Sequence, residues 1–224
     1  MLRSLILAAA LLLAGQAGAQ VSGSVAALTD YRFRGISQSD RRPALQGTLA
    51  LDHTTGLFAS AFASSVDFGR ASDANVETIL AAGYAARLRP DLSWETGVAY
   101  YRYPGSRAER ETDYVEGFAG ATWRDVNARL YFAPDYFGAG RRALYAELNA
   151  TFALGERLAV IAHAGVARIT GRSSRIDVRA GIAIDLRYAS LELAAVATDV
   201  ARAQCPLGPK ACRPAVVAVL SRGF

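Results

Sequence analysis

The sequence predicts an all-β fold, a transmembrane antiparallel up-and-down β-barrel of about twelve strands. Three observations lead there: two-residue alternation of apolar and polar side chains, segments near the length that crosses a bilayer, and connections that alternate long and short.

At the N-terminus, Arg3 supplies a positive start, Leu5 to Ala14 a short apolar stretch, and Ala17-Gly18-Ala19 a small-x-small cleavage site. That pattern is a secretory signal peptide. A retained anchor is the competing reading, but the stretch is short for a membrane-spanning helix. The chain thus divides into a signal peptide, residues 1–19, and a single barrel domain, residues 20–224. Hydrophobic residues make up 52% of the full sequence, yet beyond the leader they never run together for the about 18 positions a membrane helix needs. Twenty glycines, ten tyrosines, nine phenylalanines and a single methionine favour strands over helices. The formal charge of +5 raises the question of nucleic acid. The arginines are dispersed among acids with neither a basic run nor a recognition motif, which excludes that partner class.

Alternation is clearest from Arg175 to Arg187. Ile176, Val178, Ala180, Ile182, Ile184 and Leu186 share one face, while Arg175, Asp177, Arg179, Asp185 and Arg187 share the other. The same pattern places strands near 21–31, 45–53, 57–67, 76–88, 92–103, 114–123, 126–133, 143–154, 157–168, 175–187, 189–198 and 214–224. A soluble sandwich would show the same alternation with its apolar face inward. Length separates the two, because about 10 residues cross a bilayer when tilted. Connections separate them again. Long ones hold 32–44, 68–75, 104–113, 134–142, 169–174 and 199–213; between them lie short turns at 54–56, 89–91, 124–125, 155–156 and 188. Short periplasmic turns and long surface loops are the outer-membrane pattern. The last strand ends on Phe224, the terminal aromatic expected of a substrate of the barrel-assembly machinery.

Several blocks resemble one known family. Asp30-Tyr31-Arg32-Phe33-Arg34-Gly35-Ile36-Ser37-Gln38-Ser39, Pro43-Ala44-Leu45-Gln46-Gly47, His53, Gly56 and Val66-Asp67-Phe68 are similar to the opening of the TorF family of porins. Tyr100-Tyr101-Arg102-Tyr103-Pro104-Gly105 and Ala133-Pro134-Asp135-Tyr136-Phe137-Gly138 resemble its later blocks. Phe62 stands where tryptophan is expected, and Ser65 where asparagine is usual. The resemblance spans nearly the whole mature chain and implies an outer-membrane barrel without an agreed substrate.

Strand parity nominates the lumen-lining residues: Asp30, Arg32, Arg34, Glu77, Arg87, Glu95, Glu116, Arg129, Glu147, Asp177, Arg179, Asp185, Arg187 and Glu192. Twelve strands tilted near 40° enclose a backbone radius of roughly 12 Å. Long arginine and tyrosine side chains then narrow the interior to a pore for small solutes, or close it. The charges read equally well as a constriction selecting small polar or anionic solutes and as pairs that satisfy one another.

Catalysis by a lipid hydrolase of this class needs a serine with a histidine base in reach. His53 falls at a turn and His163 mid-strand between Ala162 and Ala164, so both read as solitary, and no enzyme activity is predicted. Neither metal-ligand spacing nor a cofactor motif is present. Cys205 and Cys212 read as a disulfide closing a small surface hairpin in the last long loop. Tyr31, Trp94, Tyr100 and Trp123 sit near strand ends, as interfacial aromatic girdles do. The leading expectation is a channel for passive diffusion of small hydrophilic solutes, in contact with outer-membrane lipid and lipopolysaccharide. A closed structural or surface-interaction barrel is the runner-up, and a lipid-modifying enzyme comes third.

Overall fold

A computed structural model describes residues 18–69, 72–104 and 112–224. All of the expected signal peptide except Gly18 and Ala19 lies outside them. Twelve strands form the wall: β1 (Ala19–Leu28), β4 (Ala44–His53), β5 (Leu57–Ser65), β6 (Val76–Arg89), β7 (Leu92–Arg102), β8 (Tyr114–Trp123), β9 (Val126–Ala133), β10 (Ala143–Ala153), β11 (Leu158–Ile169), β12 (Arg175–Asp185), β13 (Ser190–Thr198) and β14 (Ala215–Gly223). Each pairs antiparallel with its neighbours in sequence order, and β1 closes the barrel by pairing with both β4 and β14. Closure leaves no wall strand with an unpaired edge, the condition for strands in hydrocarbon.

The outer face is apolar. Val25, Leu49, Leu80, Val98, Leu130, Leu148, Ile176, Val178, Ile182, Leu193 and Leu220 are all exposed on it. No soluble protein leaves so continuous an apolar surface in water. Tyr84, Tyr100 and Trp123 face outward as well, consistent with the expected girdle.

The connections gather as predicted at two ends, short turns at one and long segments at the other. One of the long ones departs from its expected role. Residues 29–43 were expected as the tail of a strand followed by a surface loop. Instead β1 stops at Leu28, and the segment folds inward as a two-stranded hairpin, β2 (Arg32–Phe33) and β3 (Ile36–Ser37). Asp30, Tyr31, Ile36, Ser37, Gln38 and Ser39 are buried. Tyr31 therefore belongs to the interior, not to a girdle.

The buried core also lies inside the barrel, toward the long-loop end. Tyr31, Val66, Phe68, Tyr101, Tyr103, Tyr114 and Ile169 form it, with Phe33, Phe62, Tyr136 and Phe137 packed against them. Tyr101 and Tyr114 stack at 4.4 Å between centroids, and Tyr103 stacks on Phe137 at 5.6 Å.

Candidate functional site

The hairpin is held from its base upward by polar contacts that its own sequence supplies. Asp30 accepts from Arg32 Nε at 2.8 Å and from Ser37 Oγ at 2.6 Å. The Tyr31 amide donates to Ser39 Oγ at 3.0 Å, and the Gln38 amide to the Tyr31 carbonyl at 2.7 Å. Beneath it, Glu77 is fully buried and accepts hydroxyls from Tyr31 at 2.7 Å and Tyr103 at 2.8 Å. Burial lifts both phenols well above the usual tyrosine range and the Glu77 carboxylate adds to it, so each remains a donor.

At the tip, Arg34 and Gly35 both adopt positive φ, 50° and 76°. A Cβ on Gly35 would come within 2.7 Å of the Asp177 side chain, so only glycine allows the turn to seat against β12 and β13. That seat fixes Arg34. Its Nη2 donates to both carboxylate oxygens of Glu116, at 2.9 and 2.8 Å. Its guanidinium carbon lies 4.2 Å from the Tyr145 ring centre, 4.7 Å from Phe33, 5.4 Å from Tyr131 and 5.6 Å from Tyr136. A charge-assisted pair surrounded by π faces is a strong arrangement where water is scarce.

Around this centre the wall charges are largely paired. Glu95 accepts from Arg129, whose Nη1 also donates to the Tyr131 hydroxyl at 3.0 Å. The Tyr131 hydroxyl donates to Glu147 at 3.1 Å, and Arg179 pairs with Glu192. His163 proves not to be solitary. Its Nε2 lies 2.8 Å from Asp177 Oδ1, its Nδ1 2.8 Å from Asn149 Oδ1, and the Tyr145 hydroxyl lies 3.2 Å from Nε2. Tyr145 also donates to Asp177, over Gly165, where any side chain would collide with its hydroxyl. Its partners lie on the two neighbouring strands, Tyr145 and Asn149 on β10 and Asp177 on β12, and the residues flanking His163 in sequence carry no signal for them.

Of the nominated lumen residues, Glu77, Glu95, Glu116, Arg129, Glu147, Asp177, Arg179 and Glu192 take part in these inward networks. Asp30, Arg32 and Arg34 reach the interior on the hairpin, not on a wall strand. Arg87 and Asp185 are exposed at the turn end, Arg87 beside a β-bulge. Arg187 lies past the end of β12, exposed in a turn with φ 73°, where its amide donates to Asp185 Oδ1 at 2.7 Å. Alternation was extended there through residues that leave the sheet.

The cysteine loop departs from a free surface hairpin. Cys205 and Cys212 are joined by a disulfide, and Ala211 and Cys212 are buried against Ile36 of the hairpin. The Ser37 amide donates to the Ala211 carbonyl at 3.0 Å, so the loop caps the hairpin from above.

Two cavities flank the packed centre among the described residues. The inner one, about 400 Å³, is lined by mid-strand groups that include Gln46, Glu147, His163, Arg179 and Glu192. The outer one, about 320 Å³, opens among the long loops and is lined by Phe68, Tyr103, Phe137, Arg141, Arg172 and Arg175. Phe33, Arg34 and Asp177 line both, so the hairpin tip stands between them.

Residues 13–220 match the family described as bacterial protein of unknown function (Gcw_chp), and the chain belongs to that family. No curated protein matches the sequence. Among solved structures, the NanC porin is similar with a TM-score of 0.56 at 9% identity, covering 92% of this chain and 99% of that one. The KdgM porin gives 0.54 at 10% identity over 91% and 98%. An outer membrane channel from Pseudomonas putida F1 gives 0.50 at 15% identity over 92% and 96%. At such identities the likeness concerns the fold.

Proposed function

We propose that this member of the Gcw_chp family is an outer-membrane channel for small hydrophilic solutes, with its conducting path narrowed at Arg34. The observation that carries the reading is the closed barrel with an apolar outside and two lumenal cavities that meet at one hairpin tip. An arginine held at such a point favours small polar or anionic solutes, because guanidinium meets carboxylates in a matched geometry. One of the similar structures is a KdgM porin in complex with disordered oligogalacturonate, which supports the anionic class. In this reading the leader, residues 1–19, directs export and is removed. The short turns face the periplasm, the long loops face the exterior, Phe224 marks the last strand for barrel assembly, and lipopolysaccharide surrounds the outer rim.

The hairpin favours a second reading, a closed barrel, since aromatic rings fill the loop half of the lumen. Planar-bilayer recording of the refolded mature protein separates the two. Discrete channels are expected, and replacing residues 32–37 by a Gly-Ser linker should raise their conductance severalfold. Silence from both proteins across a broad voltage range overturns the channel.

A further inference from the structure

We propose that the outer cavity is a binding site for a small solute carrying a carboxylate on a flat, ring-sized body; this rests on the channel reading, of which it would be the first solute station. Three arginines line the cavity, Arg141, Arg172 and Arg175, and none makes an ion pair or side-chain hydrogen bond among the described residues. That sets them apart from the arginines deeper in the lumen, Arg32, Arg34, Arg129 and Arg179, each of which has a carboxylate within contact distance. Two other charged groups line the cavity: Arg34, which is paired with Glu116, and Asp177, whose carboxylate is hydrogen-bonded by Tyr145 and contacted by His163. Asp199 interacts electrostatically with Arg175 without forming an ion pair, and its Oδ1 accepts from the Ile176 amide at 2.7 Å. Among the described residues the cavity lining therefore sets three arginines without an ion pair against one carboxylate, Asp177, and its field is net positive.

Its remaining surface decides the rest of the ligand. Phe33, Phe68, Tyr103, Tyr136 and Phe137 supply ring faces, and Leu207 and Ile169 add aliphatic surface. A bare, strongly hydrated dianion would lose its water shell against such a wall with little in return. A single carboxylate attached to a flat body gives the arginines a bidentate partner while its body lies on the rings. Arg172 is set at the rim by a tight turn, in which its amide donates to the Ile169 carbonyl at 3.0 Å and Gly171 takes φ 74°. A volume near 320 Å³ suits one small molecule.

Aromatic acids carry this chemistry in full, and sugar acids share the carboxylate and the ring size on a puckered ring, so benzoate and glucuronate are the probes. Calorimetric titration of the refolded mature protein in detergent at low ionic strength should show at least one of them binding. Benzyl alcohol and inorganic phosphate should bind at least tenfold more weakly. R141Q/R172Q/R175Q should weaken the bound acid by tenfold or more, while R124Q, at the opposite end of the barrel, should leave it unchanged. All four substituted side chains are at the surface or cavity rim, and retention of the β-sheet circular dichroism spectrum checks the fold. Three results each overturn the site: no binding of either acid, phosphate binding as well as they do, or a triple variant that binds like the parent. Binding that persists in a protein showing no conductance sinks the channel and leaves the site.

Discussion

Along β12 a residue's surroundings follow from its parity, with Ile176, Val178 and Ile182 exposed outward and Asp177 and Arg179 turned in. Along residues 29–43 no period exists, yet Ser37 is 1% exposed and its neighbours are nearly as buried. The wall is specified by a repeating contrast between two solvents, lipid and lumen, and almost any alternating sequence satisfies it. The hairpin is specified by individual matches: Asp30 to Arg32 and Ser37, Arg34 to Glu116, Gly35 to the space beside Asp177. Substitutions should therefore spread thinly over the wall and concentrate in the hairpin.

The largest effect of this kind is expected at Glu116. Glu116→Gln leaves the Arg34 guanidinium buried against a neutral amide, and breaking a buried pair costs about 3 kcal/mol. Because the wall is independently hydrogen-bonded, the loss should appear in the hairpin alone. Amide exchange over residues 32–37 should then rise about a hundredfold, with wall-strand exchange unchanged. Uniform loosening of the whole barrel would show that hairpin and wall are one cooperative unit.

The sequence carried the wall plainly, strand by strand, because periodicity needs only the order of residue types. It carried the inner charges as a parity list, and the wall members that pair with each other, Arg129 with Glu95 and Arg179 with Glu192, did so across two strands and one. What it did not carry was the inward fold of 29–43. Turn residues and mixed polarity there are equally consistent with a loop in water, and the decisive contacts, Arg34 to Glu116 and Tyr31 to Glu77, span 82 and 46 positions. Two tyrosines behaved likewise: Tyr101 and Tyr114 read as ordinary strand residues until the β7–β8 register stacked their rings inside the barrel.

A smaller effect separates the two faces of the wall. Ile182→Arg puts a cation against lipid away from the strand ends and should destabilise the barrel by about 2 kcal/mol. Ala183→Arg, one residue on, points into the lumen opposite Glu192 and should cost well under half as much. Equilibrium unfolding in lipid vesicles measures both. Equal losses would mean that the two faces meet similar surroundings, contrary to the inside-out arrangement.

The smallest effect tests whether the cap matters to the hairpin. The Cys205–Cys212 bridge closes a short loop, so the chain-entropy contribution is about 2 kcal/mol, and only part of it bears on Ile36 and the Ser37–Ala211 hydrogen bond. Reduction should leave the wall intact and raise exchange at residues 36–37 by roughly tenfold. Residues 32–34 should respond less, because Arg34 remains tied to Glu116. If reduction instead freed the entire hairpin, the cap would outrank the arginine as its anchor, and the lumen would be gated from the loop above and not from the wall beside it.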